Sequence, residues 1–329
     1  MKSEDTINHN YTMFVRFFVV FTLLFFAGCL FGPKKYKHQF FAMDTLVEVT
    51  LFAPSKQQAD AIIDSIKVEC RRFENRYSPF KPGSVVLAIN NRADRLRVVV
   101  DSETAELVKE ALAYCRETKG IFDITIGPIK WLWGLGSDQT PRKPRQGEID
   151  STRIHIGWER VRVSGDTLFF SDPETMIDLG GYAKGVSLKR MADIVRRNGI
   201  PSFLINAGGD LIAGSPKPDG SLWTIGVQDP RRPDTAIALE KVANGCVITS
   251  GDYERYFIED GVRYHHLFDP RTGYPSRGII SSTVQCDNPV RGVVYSKVLM
   301  IAGAEWGFKR PDSIQCMLLV DTAMKKIER

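Results

Sequence analysis

Two glycine-rich turns bracket a helix and a short apolar strand over residues 176–214, and this unit limits what the chain can fold into. Asp178 precedes Gly180 and Gly181, which let backbone approach a ligand closely. Behind them Leu188, Met191, Ala192 and Val195 recur at helical spacing. Gly199 ends the predicted helix and Pro201 follows it. Ser202 to Asn206 reads as a core strand, and Asn206-Ala-Gly-Gly-Asp210 turns at its end. A helix opened by glycines presents free N–H groups and a positive dipole end, which suits phosphate. Lys184 in its first turn adds charge. The same residues also describe two ordinary turns around a helix, and no G-x-G-x-x-G or Walker pattern is present.

A chain of 329 residues has room for one large domain or two smaller ones. Its 43% hydrophobic and 25% charged residues give a globular balance. The net charge is +5 with Lys and Arg dispersed, so there is no nucleic-acid stripe. Anionic small molecules or membrane headgroups remain as partners that a mild positive charge favours.

Phe17 to Phe31 is an almost unbroken apolar run of 15 residues after Arg16. It is shorter than the ~18–20 residues of a spanning helix and fits a signal h-region. Its end, Phe26-Ala27-Gly28-Cys29, resembles a bacterial lipoprotein signal in which Cys29 is lipidated and becomes residue one. An uncleaved anchor is the other reading. Glu4 and Asp5 are unusual for such a leader, and Met13 gives a cleaner start. On this reading residues 1–29 are a signal peptide, 30–38 a short basic tether and 39–329 the folded domain. The five other cysteines show no CxxC spacing, and an odd number in an exported protein leaves at least one unpaired. Cys70 and Cys115 fall on apolar helix faces and read as buried thiols.

Residues 39–52 alternate like a strand. Ser55 and Ser102 cap predicted helices, and 84–90 starts a short one. Trp131 and Trp133 beside glycines could wall a planar ligand but read as core by default, and 136–150 reads as an exposed insertion. Leu222 to Val227 and Ile237 to Val242 read as strands around a loop from Gln228 to Asp234. Residues 247–252 read as a third polar turn, Asp260-Gly261 as a hairpin turn, and Ile279 to Cys286 as a strand. At ~100° per residue, Val290, Val293, Val294, Val298 and Ile301 share one helix face, with Lys297 in its middle. A lysine there must pair, face a cavity, or reach around to solvent.

Six segments then occur in one order. They are Met43-Asp-Thr45; Phe122-Asp-Ile-Thr-Ile-Gly-Pro128 with Trp133-Gly134; Ile177-Asp-Leu-Gly-Gly-Tyr-Ala-Lys-Gly185; Leu204-Ile-Asn-Ala-Gly-Gly-Asp210; Thr249-Ser-Gly-Asp-Tyr253; and His266-Leu-Phe-Asp-Pro-Arg-Thr-Gly273. Each is weak alone. Together they resemble the ApbE family, the FAD:protein FMN transferases, often lipoproteins, over residues 40–303.

The resemblance implies a single α+β domain with mixed and antiparallel sheets packed by helices. It implies cleavage of the FAD pyrophosphate, transfer of FMN to a threonine of a target flavoprotein of the cell envelope, and magnesium beside the pyrophosphate. Met43 and Asp123 would line the flavin end, and Asp178 would bond FAD with Lys184 near it. Tyr77, Phe122, Ile124, Leu267 and Phe268 complete the implied cofactor set. His266 is the implied proton acceptor, and Gly181 would offer a metal only its backbone carbonyl. Arg271 braces its own turn.

One departure stands out. An ungapped count from Ser281-Ser-Thr-Val284 to Gly303 puts Val293 and Lys297 where the family carries a metal-binding Asp and Thr, with Ser296 between them. A hard cation wants oxygen ligands, and a lysine repels it. Lys297 then takes the lost metal's volume beside FAD phosphate. Alternatives to transfer are FAD binding without catalysis and hydrolysis to FMN and AMP. A solute-binding lipoprotein lacks support because no two-lobe repeat is visible.

Overall fold

A computed structural model of the chain describes residues 32–92, 94, 96–135, 140–303 and 314–328. Cys29 and the apolar run before it lie outside the described residues. Among the described residues no helix is long and apolar enough to cross a membrane.

The chain opens with a hairpin, β1 (Lys34–Ala42) and β2 (Thr45–Ala53). Strand β1 therefore starts inside the stretch read as a tether, because Lys34 to His38 pair with Val49 to Ala53. Met43 and Asp44 make the turn, both at positive φ, as a tight hairpin of this twist requires. The Met43 N–H donates to the Glu74 carboxylate at 3.0 Å and holds that conformation.

Helices α1 (Lys56–Tyr77), α2 (Val85–Asn90) and α3 (Ser102–Glu117) follow, with β3 (Arg97–Val99) before α3. Ser55, Ser84 and Asp101 cap the three helices through their side-chain oxygens. Next come α4 (Gly127–Leu132), α5 (Gln146–Arg153), β4 (Val161–Ser164) and β5 (Thr167–Phe170). The central unit is α6 (Gly180–Arg197), β6 (Phe203–Ala207) and β7 (Asp210–Ala213).

Beyond it run β8 (Trp223–Asp229), β9 (Arg232–Val242), β10 (Gly245–Gly251), β11 (Tyr256–Glu259), β12 (Val262–His265), β13 (Phe268–Asp269), β14 (Tyr274–Pro275) and β15 (Ile279–Cys286). The chain closes with α7 (Pro289–Ala302), β16 (Ile314–Asp321) and β17 (Lys326–Glu328). Eight strands form one antiparallel sheet in the order β1-β2-β6-β7-β10-β15-β16-β17. Helices cover it, so the architecture is α+β, in agreement with the sequence reading.

Val47, Val49 and Leu51 of β2, Ile62, Ile63 and Ile66 of α1, and Val290, Val293, Val294 and Val298 of α7 meet in the main core. Trp133 centres a second cluster with Tyr264 and Phe268, and its indole donates to the Gly273 carbonyl at 3.0 Å. The tryptophan is thus core, as expected.

Two expected turns are different in the structure. Residues 245–251 form the strand β10, not a turn, because the polar residues have partners inside the fold. Thr249 meets Thr283 across the sheet at 2.9 Å, and Ser250 meets Ser296 of α7 at 2.8 Å. The loop read over 228–234 is only a short turn, since β8 runs to Asp229 and β9 starts at Arg232. Cys70 and Cys115 are buried free thiols. Cys246 and Cys286 sit opposite each other on β10 and β15, also as thiols, with sulfurs 3.4 Å apart.

Candidate active site

The site assembles where α6 begins. Helix α6 lies against α7, and glycines set the approach. A Cβ on Gly185 would stand 2.8 Å from Val290 Cα and 2.9 Å from the Pro289 carbonyl oxygen, so only glycine lets the backbones meet there. The helices run antiparallel at this contact, and this brings Lys297, two turns along α7, over Gly181 at the start of α6. A Cβ on Gly181 would stand 3.1 Å from Lys297 Cε.

Asp178 shapes the helix start. Its Oδ1 accepts from the Gly180 N–H at 2.7 Å, its Oδ2 from the Lys130 ammonium, and its own N–H donates to the Ile124 carbonyl at 2.7 Å. Burial would raise this carboxyl, but Lys130 holds it below the usual carboxylate range. Lys184, one turn on, pairs with Asp210 Oδ2 at 2.8 Å and donates to the Gly208 carbonyl at 3.3 Å.

Lys297 differs from both. Its Nζ donates to the Val293 carbonyl of its own helix at 3.3 Å, and among the described residues no carboxylate pairs with it. Burial pushes its ammonium down to about 8, opposed by Asp210 and aided by Lys184 and Lys130.

His266 follows β12 directly and faces this cationic cluster. Burial, and then Lys130, His265 and Lys297, hold its imidazolium well below the ordinary range, so the ring is neutral near pH 7. Its Nδ1 lies 3.3 Å from the Arg255 carbonyl, which only accepts, so Nδ1 carries the proton and Nε2 is left as a base. The neighbouring His265 points the other way. Its Nε2 meets the Ser276 carbonyl at 2.9 Å and its Nδ1 accepts from the Leu267 N–H at 3.3 Å. Adjacent histidines thus divide, one to the fold and one to the site.

Of the residues singled out in the sequence, Asp178, Gly181, Lys184, His266 and Lys297 come together here. Ile124 is joined to them through the Asp178 N–H. Asp123 closes the turn before α4, its oxygens taken by Thr125 (N–H 2.8 Å, hydroxyl 2.6 Å) and the Trp158 N–H (3.0 Å). Phe122 packs near Tyr182 with ring centres 6.5 Å apart. Tyr77 is buried against Phe73 at the end of α1, close in sequence to the Glu74 that holds Met43. Leu267 is in the main core and Phe268 in the Trp133 cluster. Arg271 clasps Asp269 at 2.9 and 2.7 Å, bracing its turn as expected.

Sequence reasoning missed Lys130 and gave no role to Asp210 or Arg255. The ion-pair partners lie far apart in sequence, Lys130 and Asp178 by 48 residues. Only the Pro128 start of α4 and the acid closing the second glycine turn hinted at them.

The sequence and the fold match those of known proteins. The ApbE family pattern spans residues 43–318. The chain belongs to the ApbE family. It is 30% identical over 303 residues to the FAD:protein FMN transferase of Vibrio cholerae, covering 91% of each chain. It is 26% identical to that of Escherichia coli K12, covering 89% of this chain and 88% of the relative. Among solved structures, the ApbE protein of Thermotoga maritima superposes with a TM-score of 0.82 at 34% identity, covering 89% and 96%. The flavin transferase ApbE of Vibrio cholerae superposes at 0.80 with 26% identity, covering 90% and 97%.

The magnesium implied by the ApbE resemblance does not fit the residues present. Val293 is aliphatic and fully buried, and Lys297 is cationic. The Ser296 hydroxyl is committed to Ser250 and to the Val293 carbonyl at 3.1 Å. Among the described residues no three His, Cys, Asp or Glu side chains gather as a metal site.

Proposed function

We propose that this ApbE protein is an FAD:protein FMN transferase. The observation that carries the reading is a neutral histidine whose Nε2 has no partner among the described residues, beside lysines at a glycine-opened helix end. That set offers a base for a hydroxyl and positive charge for a diphosphate. The family and the names of its relatives point the same way.

In this reading the acceptor threonine Oγ attacks the phosphorus of the FMN half of FAD. A new O–P bond forms, the P–O–P bridge breaks, and AMP leaves with the bridging oxygen. His266 Nε2 takes the threonine proton. Lys130 and Lys184, fixed by Asp178 and Asp210, hold positive charge against the diphosphate. Fixing these side chains before FAD arrives lowers the cost of binding it.

The reading extends to place. A lipid on Cys29 would hold the enzyme at the bacterial envelope, where threonine-bearing flavoproteins are its partners, on the strength of the Phe26-Ala-Gly-Cys29 pattern. Labelling with a fatty acid that is lost in Cys29→Ser checks this.

Incubation of the protein with FAD and a threonine-bearing flavoprotein domain tests the activity. A covalent flavin on the acceptor, seen as in-gel fluorescence and an FMN mass increment, is the expected result. Free FMN and AMP with an unlabelled acceptor would mean hydrolysis instead, and intact FAD would mean binding alone.

A further inference from the structure

This inference rests on the FAD reading and deepens it. Lys297 is placed where a protein gains nothing from a lone cation. It sits on Gly181 at the positive end of the α6 dipole, with Lys184 and Lys130 as its cationic neighbours. Asp178 is engaged with Lys130 and Gly180, and Asp210 with Lys184 and the Thr249 N–H, while Glu254 lies by Lys184 and Asp210 and forms no ion pair with Lys297. A half-buried ammonium without a carboxylate partner costs stability unless an anion completes it.

Two residues of this chain make the placement possible. Gly181 leaves the space that Lys297 Cε fills. Val293, one turn before Lys297, offers no side-chain oxygen that would draw a cation in its stead.

We infer that the Lys297 ammonium stands against the FAD diphosphate in the place of a divalent cation, so that FAD binding by this protein is independent of metal. The N–H donors that the Val293 carbonyl leaves free meet phosphate oxygens, and Lys130 and Lys184 supply the remaining positive charge. An ammonium is a point charge that does not impose the octahedral geometry of magnesium. Orientation of the diphosphate then falls to the α6 backbone and to the two lysines already fixed by aspartates.

The test is quenching of FAD fluorescence by the full protein, titrated in excess EDTA and again in magnesium. The wild type is expected to bind with the same affinity in both, within about twofold. Lys297→Met keeps the apolar stem and removes the charge, so folding is retained and checked by near-UV circular dichroism. It is expected to weaken binding about 10-fold or more in both buffers, the loss of a charge-assisted contact. Val293→Asp with Lys297→Thr restores oxygen ligands and is expected to bind FAD more tightly when magnesium is added.

Wild-type binding that vanishes in EDTA and returns with magnesium overturns the inference while leaving the FAD reading intact. So does a Lys297→Met protein that binds as the wild type does in EDTA. Absence of quenching by the wild type in either buffer overturns the FAD reading itself, and the inference with it.

Discussion

Gly181 and Gly185 lie one turn apart on α6, and both face α7, yet they admit different things. Gly185 admits backbone: Pro289 and Val290 press where its side chain would be. Gly181 admits the flexible end of a lysine. The first contact has no slack and builds the fold. The second brings a charge to the helix end, where an anion belongs. One helix therefore carries a structural glycine and a chemical one, and sequence pattern alone treats them alike.

Four measurements separate these two ends of the contact. The largest effect is expected at the chemical end. His266→Ala should slow FMN transfer about 10²- to 10⁴-fold, the usual worth of a general base, with FAD affinity and unfolding midpoint unchanged. A variant that transfers at the wild-type rate removes His266 from the chemistry.

Gly185→Ala comes next and acts on the fold. Its Cβ would meet backbone at 2.8 Å, so overpacking should cost about 3 kcal/mol in urea unfolding. An unchanged midpoint would show that the helices have slack here after all.

Gly181→Ala sharpens the contrast, since its Cβ meets only Lys297 Cε, at 3.1 Å. The lysine can yield, and the gain in helix propensity of ~1 kcal/mol offsets the crowding, so stability should change little. FAD affinity should fall about threefold, well under 1 kcal/mol, as the ammonium is displaced. A loss of stability as large as that of Gly185→Ala would erase the distinction.

The smallest effect is an absence. Burial and the lysines lower the His266 pKa, so its basic form is already present below the ordinary histidine range. For the free enzyme, kcat/KM should stay flat between about pH 6 and about pH 7. A fall through about 6.5 as pH drops would mean an unperturbed imidazole.

Much of this was legible in the sequence because it is local. A 100° count defines the α7 face and places Lys297 among buried valines. The Asp260-Gly261 hairpin followed from its turn residues, both at positive φ in the structure. Strand β10 was misread because Thr249, Ser250 and Gly251 look like turn residues. Their hydroxyl partners, Thr283 and Ser296, come from distant segments. The start of β1 was misplaced for a related reason: Lys34, Lys35 and Lys37 look like a basic tether, but β2 pairs with them. Lys130 escaped notice because its role exists only through Asp178, far along the chain.

A structure of the protein with FAD bound in the presence of magnesium tests the central claim most directly. The diphosphate should lie at the start of α6, within hydrogen-bond distance of the Lys297 Nζ, with no ion between them. A magnesium ion coordinating that diphosphate beside Gly181, or a flavin dinucleotide seated away from α6, would contradict the account.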